Sequence, residues 1–169
     1  MKKVRLLDIL FFLCFFTVIV ATFWVYINMD NRVGDIEFDK NLDDPNFKIC
    51  NENRVFQYYS VNTNYDGGRK AIRSEIKSFL KSLDLKENKS GYITYRFIIS
   101  CEGKIGRVRY KSVDNGMQKT TFDLDFTDSL ENAIKKLDNW IPGIKDQEKV
   151  DSYYQINFKV ENGKIIDIF

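Results

Sequence analysis

The chain of 169 residues contains no histidine. That absence removes the usual general base, the commonest metal ligand, and the Ser-His and Cys-His nucleophile pairs. Only two prolines and three cysteines occur, and formal net charge is just +2. So small a charge gives no global electrostatic reason to bind nucleic acid. No metal cluster, phosphate loop or carboxylate pair of recognisable geometry stands out, and Gly67-Gly68 lacks the context of a phosphate site. Neither an enzyme, a cofactor, a metal nor a small-molecule substrate is expected.

What the chain has in plenty is apolar and aromatic residues, fourteen Phe and nine Tyr among them. The first concentration runs from Ile9 to Ile27, ILFFLCFFTVIVATFWVYI. Nineteen helical residues at ~1.5 Å each reach about 28 Å, close to the ~30 Å hydrocarbon core of a bilayer. Lys2, Lys3 and Arg5 precede the run, and Asp30 and Asp35 follow it. This bias puts residues 1–8 in the cytoplasm, a single transmembrane helix at 9–28, and the rest outside. Trp24 and Tyr26 mark the outer interface. Apolar sequence continues past Ile19-Val20-Ala21, so the run reads as an uncleaved anchor and not as a signal peptide. Asp8 reads as an interfacial acid paired with Arg5, and Cys14 as a buried thiol.

Residues 29–47 are polar and read as a linker; a domain follows at 48–169. The stretch from Lys48 to Val61 reads as a strand or strap. Tyr65-Asp66-Gly67-Gly68 signals a turn. From Gly68 to Leu83, apolar residues recur at steps of three and four, which predicts an amphipathic helix. Tyr92–Cys101 is the best strand in the chain. Glu102-Gly103 turns it into a second strand, where Arg107, Arg109 and Lys111 form a basic face that reads as solvated, with a partner patch as the alternative. A second helix is predicted to start near Thr127-Asp128 and to stop at Trp140-Ile141-Pro142-Gly143. Trp140 reads as a packing residue. Ser152–Val160 alternates as a strand, and Asn162-Gly163 turns it into Lys164–Phe169. The expected fold is α+β: an antiparallel sheet of three to four strands with two helices on one face, preceded by the single span.

From Tyr65 to Val160 the pattern resembles the C-terminal domain of TonB, the energy transducer of Gram-negative bacteria, especially its Bacteroidota-type relatives. The resemblance rests on several residues in order. These are Asp66, Gly67 and Gly68 before the first helix, Gly91–Thr94 opening the strand to Phe97, and the Glu102-Gly103 turn. Trp140, Pro142 and Gly143 follow as a W-x-P-G motif, with Ile156-Asn157-Phe158 in the last strand. It implies an inner-membrane protein with a periplasmic domain that works with a proton-driven inner-membrane complex. It also implies that the domain grips an outer-membrane receptor's extended segment by strand addition. The surface expected to do so is Tyr153, Tyr154, Gln155, Ile156, Asn157 and Phe158, unless Lys164–Phe169 covers that edge. An adaptor of the same fold without energy coupling is the alternative. Cys50 and Cys101 both fall on the oxidising side. A bond between them would close a loop of about 50 residues, worth ~4 kcal/mol, with two unpaired cysteines as the alternative.

Overall fold

The structure is a computed structural model. It describes residues 6–30, 36–81, 83 and 87–169, with side chains at 9–25 in the first stretch. It divides into a unit ending at Asp35 and a second, Ile36–Phe169. The first holds helix α1, Leu6–Asp30. Its described side chains are apolar on every face and exposed, including Phe11, Phe12, Phe16 and Trp24. Cys14, a free thiol, is exposed among them. Among the described residues no helix is long and apolar enough to cross a membrane. The side chains of Asp8, Tyr26 and Asp30, and all of Lys2, Lys3, Arg5 and Asp35, lie outside the described residues.

The second unit is α+β. In chain order come β1 Phe56–Gln57, α2 Tyr58–Val61, β2 Asn64–Tyr65, α3 Gly68–Leu80, β3 Gly91–Ile99 and β4 Ile105–Asp114. Then follow α4 Leu124–Lys135, β5 Trp140–Ile141, β6 Gly143–Lys145, β7 Glu148–Val150, β8 Ser152–Glu161 and β9 Lys164–Ile168. The main sheet has five strands. β8 and β3 are central, β4 lies outside β3, and β1 and β9 share the far side of β8. The expected antiparallel set is present as β4-β3-β8-β9, but β1 adds a parallel pairing, Phe56 to Ser152 and Gln57 to Tyr153.

One face of this sheet carries the core. Alternation brings Ile93, Tyr95, Phe97 and Ile99 of β3 beside Tyr154, Ile156, Phe158 and Val160 of β8. Helices α3 and α4 cover them with Ile72, Ile76 and Leu80, and with Phe126, Leu130 and Ile134. Several boundaries differ from expectation for local reasons. α3 ends at Leu80, and Leu83 stays exposed. α4 starts three residues before Thr127, because Asp123 is the N-cap: its carboxylate accepts the Asp125 N–H at 2.9 Å. Thr127 instead turns its hydroxyl onto the Asp123 and Leu124 carbonyls. α4 also stops earlier, at Lys135, and Trp140-Ile141 is a short strand paired with Asn64-Tyr65.

The largest correction concerns residues 29–47. From Ile36 onward they are not a free linker but a strap folded across the opposite face of the sheet. Ile36 packs with Ile98 and Tyr153 in a second small core, flanked by Phe47, Ile49 and Val55. Polarity hid this, because most of the strap's attachments are polar.

Candidate functional site

The expected strand-accepting surface, Tyr153–Phe158, belongs to β8, which is not an open edge. β3 lines one side over the whole strand. On the other side β1 occupies Tyr153 and β9 pairs with Phe158. Asn157 exchanges both backbone hydrogen bonds with Phe169, at 2.8 and 3.0 Å. Tyr154 and Ile156 point into the core. Only Gln155 is exposed within the segment. The Asn162-Gly163 turn therefore has the consequence its sequence implied: β9 covers the edge. Burial of Tyr154 in this core pushes its phenol above the ordinary range, so it stays neutral.

The other long border of the sheet is different. β4 is the outer strand, ten residues long. The Ser112 carbonyl accepts from the Thr120 N–H at 3.2 Å, and the Asp114 N–H donates to Gln118 at 2.9 Å. That return covers the C-terminal end only. Ser112 faces away from β3, so by alternation Tyr110 also turns its N–H and C=O outward. Among the described residues no strand pairs with this side of β4 over Ile105–Lys111. β9, by comparison, has five residues, and Arg73 holds its Ile168 carbonyl.

A cleft of about 520 Å³ runs beside this border. Its walls are the strap at Leu42 and Phe47, β4 at Ile105–Val108, and α4 at Glu131 and Lys135. Two devices shape it. A bulge opposite Phe97 puts Arg107 in the left-handed region, φ 50°. Gly106 lets the Phe47 ring lie flat on the strand, where any Cβ would sit 2.3 Å from ring carbons.

The basic face expected on β4 is mostly consumed by the strap. Arg107 is buried and forks onto Glu52, with a further bond to the Ile36 carbonyl at 3.2 Å. Arg109 grips Asp43 in a two-pronged pair, both contacts 2.7 Å. Lys111 alone remains exposed. The Arg109 hydrogen bond holds the Asp43 carboxyl below its ordinary range, against the opposing effect of burial. A depressed carboxyl contributes stability that is full above the unfolded value, near 3.9, and lost as pH falls through the folded value. Asp43→Asn is therefore expected to cost about 1–2 kcal/mol at pH 7. The deficit should shrink as pH falls below the unfolded value and through the lowered folded one, measured by urea unfolding at each pH.

The strap's far end is fastened covalently. Cys50 and Cys101 stand 6.2 Å apart at Cα with their sulfurs at disulfide distance. Asp151, just before β8, is almost fully buried between them. One carboxylate oxygen accepts the Asn51 N–H at 2.8 Å, the other the Cys101 N–H at 2.9 Å.

The motif residues have structural positions. Gly67, φ 75°, caps α3, and the Asp66 N–H donates to Asn139. Trp140 packs edge-on against Tyr65, Phe97 and Tyr154. Gly143 fits only because it lacks a side chain, since a Cβ would lie 2.3 Å from Val61. Pro142 joins β5 to β6. The sequence reading missed Asp43, Glu52, Gly106 and Asp151. Gly106 did carry a signal, because a glycine inside an alternating strand marks a bulge or a close approach. The three acids carried none, since each is one among many. No family model, curated protein or solved structure matches this chain.

Proposed function

We propose that this is a membrane-anchored protein-binding domain that takes an extended segment of a partner onto the free edge of β4. The supporting observation is that edge: the outward N–H and C=O of Tyr110, unpaired among the described residues, beside a cleft walled by strap and α4, while the Val108 carbonyl is taken by the Arg109 guanidinium at 2.9 Å. Backbone hydrogen bonds would give affinity there, and the cleft would read side chains. The site differs from the β8 surface first expected, because β1 and β9 occupy that one. The anchor is α1, supported by the strongly apolar nineteen-residue run Ile9–Ile27, interrupted only by Cys14, Thr17 and Thr22, and by the exposed apolar side chains on all its faces. The N-terminus lies in the cytoplasm and the domain in the periplasm, following the charge bias around the span.

The resemblance to the TonB C-terminal domain gives the partners: an outer-membrane receptor for the strand, and a proton-driven inner-membrane complex for the anchor. A second reading, an adaptor without energy coupling, is favoured by the anchor's own chemistry. No His and no charged residue occurs between Ile9 and Ile27. Gentle-detergent purification of the full chain separates the two. Recovery of the channel complex supports transduction, and its reproducible absence beside a retained receptor supports the adaptor.

Tyr110→Pro tests the edge itself. It removes one outward N–H and spares the ladder to β3. Receptor recovery is expected to fall at least tenfold, while Gln155→Pro, on the β8 side, should leave it within about twofold. Undiminished capture by Tyr110→Pro would rule out the β4 edge.

A further inference from the structure

We propose that Asp151 is an electrostatic guard on the Cys50–Cys101 disulfide, making it a permanent latch on the strap. The inference is independent of what binds at β4. The carboxylate oxygen and both sulfurs lie within 4.8 Å of one another. Asp151 is 1 % exposed, whereas Cys50 is exposed and Cys101 half-buried. Cover is thus least on the Cys50 side, and protection there falls to charge.

Reduction begins when a thiolate attacks the Cys50 sulfur, on the less covered side of the bond. The S–S bond breaks and Cys101 leaves with the electron pair, as a thiolate. A second thiolate then resolves the mixed disulfide on Cys50. The sum is one protein disulfide and two thiols converted to two protein thiols and one small disulfide. Negative charge builds twice beside Asp151, on the incoming sulfur and on departing Cys101. A carboxylate at this distance opposes both, more strongly on the half-buried Cys101 side than on the solvated Cys50 side. A leaving thiol disfavoured as thiolate also leaves more slowly.

Asp151 further holds the Cys101 and Asn51 amides, so a purely structural role has to be told apart. Thiols of different charge do this. The test measures reduction of the purified full chain by cysteamine, mercaptoethanol and mercaptopropionate, each normalised to its rate on a small neutral disulfide. On the native protein the cationic thiol should outrun the anionic one by about tenfold, with the neutral thiol between. Asp151→Asn should speed mercaptopropionate most and flatten the series. Asp151→Glu, which keeps the charge, should keep the ranking. A flat series on the native protein overturns the proposal whether or not either variant folds. So does a uniform acceleration of all three thiols in Asp151→Asn, since that reports only a loosened backbone.

Discussion

Truncating Phe97 to alanine is expected to destabilise the domain by about 3–5 kcal/mol, the range for emptying a fully buried aromatic site. Phe97 is 0 % exposed, near the C-terminal end of β3. Its ring meets Trp140 at 5.7 Å and Tyr154 at 5.9 Å between centroids. These three join the central sheet to the β2–β5 ribbon, so collapse around the cavity would have to move three elements at once. Little relaxation is open to it, which places the cost toward the upper end. The effect also reaches the proposed site, because Phe97 lies opposite the bulge that places Arg107 and Val108 on the cleft. Urea unfolding followed by Trp140 fluorescence, on a Trp24→Phe background, measures it. A loss below about 1 kcal/mol would show that the site repacks freely.

The second large effect is expected from Cys50→Ala with Cys101→Ala. Cross-linking residues 51 apart in sequence removes unfolded-chain entropy, worth about 4 kcal/mol at 25 °C in the chain-entropy model. The measured loss should fall within about 2–5 kcal/mol. Its location is informative. The bond fastens the strap next to Asn51, while Asp43–Arg109 and Glu52–Arg107 hold it along β4. Without the bond, amide exchange should quicken first between residues 36 and 55, and β3 and β8 should keep their protection. Loss of protection in all three together would mean that the strap and the sheet unfold as one unit.

These two variants mark what could and could not be read in the chain. Phe97 was legible, because β-branched and aromatic residues crowd Tyr92–Cys101 and only a central strand needs so many. The amphipathic periodicity of α3, the tight turn at Asn162-Gly163 and the packing role of Trp140 were legible for the same reason: each is a local pattern. The strap was not. Its attachments join residues 66, 55 and 51 positions apart, through single acids and arginines that look solvated in isolation. The basic alternation on β4 suggested an open charged face, and it took the fold to bring Asp43 and Glu52 onto it. The strand-accepting surface was expected only if Lys164–Phe169 left that edge open, and β9 lies on it. Alternation shows that Tyr153–Val160 is a strand but says nothing of which neighbours flank it. A two-residue parallel strand such as Phe56-Gln57 is below what any sequence pattern can signal.

The claim that a partner strand joins β4 is tested most directly by site-specific photo-crosslinking in living cells. A benzoylphenylalanine is placed at Lys111, exposed on β4, or at Gln155, exposed on β8. The account predicts a discrete crosslink from position 111 to an envelope protein, lost when Tyr110→Pro is added, and none from position 155. A crosslink from position 155 with none from position 111 would contradict it.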